Sequence, residues 1–307
     1  MSKVATLEEL AGVVRSGMSV SFGGFAHSLT PMAFVRELVR RQVRDLTLVG
    51  IAEAWAADTL AGAGALRRLV LSNFMFEGFG LCRNFSRAIE SGAVEFEDYS
   101  HFALASRFAA AAQGLPFATV RSLLGSDLLG SDDGAQRIRH REFESPFGGE
   151  RVVLLPPVSP DVVVIHGHRG DRHGNVQIWG ATSVIEEQAR AGATVVATVE
   201  QLVASADIRA TPERTVVPGM LVARIAEVPY GAHPTGMYRL YDADYAYIRE
   251  YVEASRDPAR FATYLAEVTR GDHRAYLARL GVRRLLGLRS DPHFGYHLHL
   301  TDQGWRP

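Results

Sequence analysis

The feature that most constrains this chain is a short alternating segment, Met18-Ser-Val-Ser-Phe22, that runs into a glycine pair, Gly23-Gly24, and then into Thr30-Pro31 ahead of an apolar-periodic stretch over residues 32–41. Alternation marks a half-buried strand, glycines permit a turn that other residues resist, and Thr-Pro is the signature of a helix start. The order strand, glycine loop, helix then recurs in looser form. Apolar runs at Leu46 to Ile51 and Leu69 to Ser72 precede a helical stretch over 81–90, a short run at Val94 to Phe96 and an alanine-rich helix near 99–113. Such alternation predicts an α/β fold, a single domain with a mainly parallel sheet flanked by helices. Upstream, Thr6-Leu-Glu-Glu9 has the form of a capping box and opens the first helix, which ends near Gly17.

The second half continues the pattern with interruptions. Residues 126–151 are polar and read as a long excursion before the buried runs Val152 to Leu155 and Val162 to Ile165. A loop of that length is usually functional or lies against a partner. Asn175 to Trp179 reads as a strand, Ser183 to Ala191 as a helix and Thr194 to Val199 as a buried strand. After residue 240 the composition turns to Tyr, Arg and Asp, with helical segments near 242–254, 258–269 and 272–280. The expected organisation is one domain over 1–285, with a helical appendage at about 240–285, and a tail over 286–307. The excursion and the appendage are both expected at the periphery, at least one of them against a partner subunit.

Charge excludes several function classes. Thirty-three Lys and Arg face 34 Asp and Glu, without a basic block, so no electrostatic field recommends nucleic acid or an anionic membrane. The N-terminus has no apolar signal-like core and no later run reaches the roughly 18 apolar residues of a membrane span, so a soluble, cytoplasmic protein is expected. Cys82 is the single cysteine, which removes disulfides and cysteine-based zinc sites and suggests a packed small hydrophobe. Lys3 is the single lysine, which removes Schiff-base and P-loop chemistry.

Standard catalytic signatures are absent: no G-x-G-x-x-G follows a strand, and there is no G-x-S-x-G or H-E-x-x-H. The Gly23-Gly24 loop is a candidate ligand site because ligands of open α/β sheets sit at the carboxyl ends of strands, where loop N–H groups favour anionic or acyl oxygen; a plain tight turn is the alternative. His166 and His168 would share one face of a strand, as a pair of metal ligands does, but no acidic third ligand has diagnostic spacing, and no metal is expected. His293, His297 and His299 fall in a Gly/Pro/Asp-rich tail where a solvated or interface role is expected. Asp98-Tyr-Ser-His101 stands where a strand passes into the alanine-rich helix, with the histidine one turn in, poised over a strand-end cleft or merely on the surface.

Five stretches together resemble the α-subunits of class I coenzyme A transferases of the glutaconate CoA-transferase type. They are Phe22 to Phe25 with Pro31; Asp98 to Phe102; Leu115-Pro-Phe117 with Arg121 to Asp127; His166 to Gly180; and Val217-Pro-Gly219 with Glu227 to Pro234. The likeness runs in order from about residue 6 to residue 281. It implies acyl transfer through a covalent anhydride on a glutamate of a separate β-subunit, in a heteromer expected as α2β2. The β-subunit motif is missing here; Glu53, after an early strand, does not fit it. The resemblance further implies that Gly23, Gly24, Phe25, Ser72, Asn73 and Ser126 contact substrate, with a coenzyme A thioester as substrate and no permanently bound cofactor. His101 takes a position where oxoacid-specific relatives carry a glutamine that donates to the thioester oxygen, and where a steroid-ring hydrolase of the same fold carries a glutamate. A ring-opening acyl-CoA hydrolase, an acyl-CoA decarboxylase and a non-catalytic structural partner therefore stand beside transfer as readings.

Overall fold

The fold was established from a computed structural model, which describes residues 2–73, 75–130, 138–291 and 295. The chain opens with α1 (Leu7–Ala11), where Thr6 and Glu9 form the reciprocal capping box. Three strand–helix steps follow: β1 (Ser19–Phe22) and α2 (Met32–Arg40), β2 (Leu46–Ile51) and α3 (Ala54–Gly62), β3 (Leu66–Ser72) and α4 (Arg83–Glu90). Then come β4 (Glu95–Asp98) and α5 (His101–Ala112).

The strands β5 (Ala118–Val120), β6 (Arg141–Glu144) and β7 (Arg151–Leu155) form a separate antiparallel sheet in the order β5-β7-β6. This corrects the expected excursion over 126–151: part of it is sheet. Every residue of β6 is exposed, so the strand is held by backbone pairing with β7 and shows almost no hydrophobic pattern. Residues 131–137 of that stretch lie outside the described residues.

The chain returns to the main sheet with β8 (Val162–Gly170), the short β9 (Val176–Gln177), α6 (Ile185–Ala191), β10 (Thr194–Leu202), α7 (Ser205–Ala210), β11 (Thr215–Val217) and β12 (Val222–Glu227). Strands run in the order β12-β10-β8-β1-β2-β3-β4, all parallel, while β9 pairs antiparallel with the last two residues of β8 and β11 with β9. Both faces are buried: Leu46 and Leu48 of β2 join one core and Val49 and Ile51 another, as the two-residue period of a strand requires. Cys82 is buried.

Four helices close the described chain: α8 (Tyr245–Ser255), α9 (Pro258–Val268), α10 (His273–Leu280) and α11 (Val282–Gly287). The first three lie near the expected positions, and the first two are not peripheral, because Ile248, Tyr251 and Phe261 are buried in the same core as β1, β2 and β3. Among the described residues, no helix is long and apolar enough to cross a membrane. The expectations for His293, His297 and His299 lie outside the described residues.

Candidate functional site at the carboxyl ends of the parallel strands

The glycine loop is fixed from several sides. Gly23 donates its N–H to the Val164 carbonyl at 2.8 Å, extending the β1–β8 ladder by one residue. Gly24 sits at φ +124°, and a Cβ there would lie 2.8 Å from the Thr30 nitrogen and 2.9 Å from the Ser28 oxygen, so only glycine fits. Phe25 and Ser28 exchange backbone hydrogen bonds of 2.9 and 3.0 Å, and the Ala26 N–H reaches the Ala52 carbonyl at 3.1 Å. The loop is thereby tied to the end of β2 while the Phe25 side chain remains exposed.

Thr30 is not the expected helix cap. The helix begins at Met32 with Pro31 in the cap position and no side-chain cap, because the Thr30 hydroxyl is turned instead to Glu53 Oε2 at 3.3 Å. Glu53 caps α3, accepting the Ala56 N–H on Oε1 at 3.0 Å. It is 1% exposed, and burial pushes its carboxyl up to about 8. At neutral pH it is a neutral acid with both oxygens engaged. It braces the glycine loop against α3 and presents no carboxylate for attack.

Ser72 ends β3, its carbonyl accepting from Ala52 N–H at 2.9 Å. Its hydroxyl is buried and has no hydrogen-bond partner among the described residues. Buried hydroxyls normally find a partner, and this one at the strand end lacks one among the described residues. Asn73 follows at φ +82° and donates from Nδ2 to Glu77 Oε1 at 3.1 Å.

His101 is the first residue of α5, not one turn inside it. Ser100 is the cap: its hydroxyl accepts from the Ala103 N–H at 3.1 Å and shares a hydrogen bond with Ser122 Oγ at 2.8 Å. Asp98 ends β4 outside the cap, and partial burial raises its carboxyl above the usual range. The imidazole of His101 is exposed and meets Phe25 edge-on, the ring centroids 5.9 Å apart. The structure therefore brings His101 and the Gly23-Gly24-Phe25 loop to one lip. Ser126 stands apart from the glycine loop contacts; its hydroxyl donates to the Leu123 carbonyl at 2.7 Å, in the same turn as Ser122.

The His166 and His168 side chains are engaged in the protein. His166 is hydrogen-bonded to Thr198 Oγ1 through Nδ1 at 2.8 Å and to Glu200 Oε1 through Nε2 at 2.7 Å. His168 Nε2 meets the Tyr238 carbonyl at 2.9 Å, and burial lowers its pKa to about 4. Among the described residues no group of three His, Cys, Asp or Glu side chains could hold a metal ion. Sequence reading missed the polar cluster around Glu200, whose members Tyr230 and Tyr241 come from a distant segment and carry no local signal.

Comparison with known proteins agrees with this geometry. A family model described as Coenzyme A transferase matches residues 4–228. The A subunit of glutaconate CoA-transferase from Acidaminococcus fermentans is 33% identical over 318 residues, covering 99% of both chains. The crystal structure of glutaconate coenzyme A-transferase from that organism superposes with a TM-score of 0.91, covering 98% of this chain and 100% of that one at 32% identity. The A subunit of 3-oxoadipate CoA-transferase from Pseudomonas knackmussii is 34% identical over 275 residues, 88% of this chain and 95% of its own. A structure of the decarboxylase AibA/AibB matches with a TM-score of 0.77 and 30% identity, covering 87% and 99% of the two chains. With the parallel sheet, the braced glycine loop and a full-length likeness to a transferase subunit in agreement, the chain belongs to the coenzyme A transferase family.

Proposed function

We propose that this chain is the α-subunit of a heteromeric class I CoA-transferase that moves coenzyme A between carboxylates, and that it forms one wall of a cleft completed by a β-subunit. The observation that carries the reading is the lip itself. His101 and Phe25 are exposed there with Gly23 and Gly24 buried behind them, whereas Glu53 is buried with both oxygens bonded and Asp98 is half-buried. With Glu53 buried and the exposed Glu77 carboxylate taken up by the Asn73 amide, the wall takes its nucleophile from elsewhere.

In this reading a β-subunit glutamate attacks the thioester carbonyl, the carbon–sulfur bond breaks, and the acyl group remains on the glutamate as an anhydride while coenzyme A leaves as thiolate. Coenzyme A then takes the glutamyl carbonyl, releasing the first acid, and the reverse sequence loads the second. His101 donates to the acyl or carboxylate oxygen where charge develops. Gly23, Gly24, Phe25, Ser72, Asn73 and Ser126 shape the substrate side, and the coenzyme A thioester is substrate, not a resident cofactor. The assembly is α2β2 and cytoplasmic, without nucleic acid or membrane as partner.

The test is reconstitution. The isolated chain should be inactive with acyl-CoA, and co-expression with its β-subunit should give a heterotetramer that exchanges labelled acid into acyl-CoA. Release of free acid and thiol, or of carbon dioxide, in place of exchange would instead assign hydrolysis or decarboxylation. A glutamyl adduct found by mass spectrometry on this chain alone would overturn the proposal.

A further inference from the structure

A second opening lies against the last residues of β8 and β10. Gly23 meets β8 at Val164, and His168 stands four residues further along, about 13 Å at the rise of a strand. There a cavity of about 430 Å³ is bordered by His168, Arg169, Trp179, Tyr230, Tyr241 and Arg289. That volume falls in the range of small-molecule sites.

Its one carboxylate is already saturated. Glu200 Oε1 accepts from the Tyr241 hydroxyl at 2.5 Å and the Gly231 N–H at 3.2 Å, and is bonded to His166 Nε2 at 2.7 Å; Oε2 accepts the Tyr230 N–H at 2.7 Å. The Glu200 oxygens are thus turned to partners within the protein, and His168 is neutral at physiological pH. The guanidiniums are different. Arg169 and Arg289 make no ion pair among the described residues, in a chain with as many acids as bases.

The walls are aromatic and held in place. Trp179 packs on the His168 ring at 4.1 Å between centroids, with Arg169 and Arg214 at 5.7 and 5.5 Å from its own centroid. Tyr230 stacks on Tyr241 at 4.7 Å. A cavity with flat aromatic walls, one carboxylate whose oxygens are already hydrogen-bonded and two guanidiniums outside any ion pair favours one ligand class over others. A neutral ligand leaves both cations unsatisfied, a cation is repelled, and an anion with an apolar body answers every surface.

We propose that this cavity is a binding site for a small organic anion, distinct from the Gly23-Gly24 cleft, in which Arg169 and Arg289 take a carboxylate or phosphate group and Trp179 and Tyr230 cover its body. Titration calorimetry on the full chain tests it, with glutarate and adenosine monophosphate as separate probes for the two anionic groups and adenosine as the neutral control. At least one anion should bind saturably, with affinity falling as potassium chloride is raised, since exposed charges are screened. Arg169→Gln with Arg289→Gln should weaken it tenfold or more, while His101→Ala leaves it unchanged. Both arginines are exposed, so the double variant should keep the wild-type melting temperature, which is measured alongside. Failure of both anions to bind, adenosine binding as tightly as the monophosphate, binding that survives in the folded double variant, or loss of binding in His101→Ala would each overturn the proposal.

Discussion

The ring of His101 meets the ring of Phe25 edge-on, with centroids 5.9 Å apart and planes at 76°. Phe25 follows β1 and His101 follows β4, and two strands, β2 and β3, lie between them in the sheet. Four strands at about 4.8 Å spacing put the outer two roughly 14 Å apart, so the contact can form only if the loops arch over the ends of the inner strands. Beneath that arch end β2 and β3, with Glu53 just past one and Ser72 at the end of the other. A crevice outside the carboxyl ends of parallel strands is where this class of sheet binds ligands.

Removing the His101 imidazole should be costly only for turnover. With His101 as donor to a developing oxyanion, His101→Ala in the reconstituted complex should lower kcat about a hundredfold, near 3 kcal/mol. An exposed residue at a helix start should meanwhile leave the melting temperature almost unmoved. His101→Gln separates two roles: a neutral donor is replaced by the amide with much of the activity kept, whereas loss as deep as in the alanine variant marks proton transfer. Steady-state kinetics with less than about a twofold change in either variant would remove His101 from the site.

The glycine pair should respond unequally to alanine. At Gly24, φ +124° and the backbone atoms of Ser28 and Thr30 within 3 Å leave no room for a methyl group. Strain of this kind costs on the order of 1–3 kcal/mol before any clash is relieved. Gly23 has an ordinary φ, and its added Cβ would meet side-chain atoms of Ile185 and Ile165, the nearest Ile185 Cγ1 at 3.3 Å, which can yield. Gly24→Ala should therefore melt several degrees below the wild type and Gly23→Ala much less so, by thermal denaturation; equal losses would contradict this geometry.

The parts of this architecture legible in the sequence are those with local causes. Leu46 to Ile51 reads as a strand because, apart from the half-buried Thr47, it has no polar side chain, as expected of a strand buried on both faces, and the observed β2 has those bounds. Arg141 to Glu144 carries no such pattern, since an exposed strand owes its place to pairing with β7 and not to burial. Thr30 shows a tertiary partner overriding local preference: its hydroxyl goes to Glu53, so the cap expected from Thr-Pro does not form. His101 is displaced by one turn from its expected place because Ser100, and not Asp98, accepts the capping N–H. The cavity around Trp179 and Arg289 was out of reach, being assembled from segments far apart in the chain.

The helices after residue 240 should melt with the sheet. Phe261 is 2% exposed and packs on Tyr251 and Tyr264, each at 5.5 Å between centroids. A Cβ on Gly62 would fall 2.2 Å from the Phe261 ring, so α9 presses directly on α3, and Tyr251 also donates its hydroxyl to Asp58 at 2.7 Å. Phe261→Ala should cost about 3–5 kcal/mol as a core truncation. If the segment is part of one cooperative unit, calorimetry will show a single transition moved to lower temperature; a detached appendage would give a separate minor transition and leave the main one in place.

Glu53 should make stability depend on pH in a direction opposite to that of most carboxylates. Its folded pKa is about 8, raised by burial from 4.5, with the hydrogen bonds from Ala56 and Thr30 offsetting only part of the effect. Below about pH 4.5 the group is protonated in both folded and unfolded chains and contributes no pH dependence. Between there and about 8 the unfolded chain ionises while the folded chain keeps its proton, so folding takes up a proton and stability falls as pH rises, levelling above 8. The total is on the order of a few kcal/mol. Glu53→Gln removes the titration but keeps an oxygen for the Ala56 N–H and an amide for Thr30 Oγ1. Chemical denaturation of both proteins at about pH 5 and about pH 9, on either side of the folded value, should show the glutamine variant gaining on the wild type as pH rises. A difference that stays constant, or that reverses, would mean that the Glu53 carboxyl is ionised in the folded protein, and that the brace on the glycine loop is a carboxylate after all.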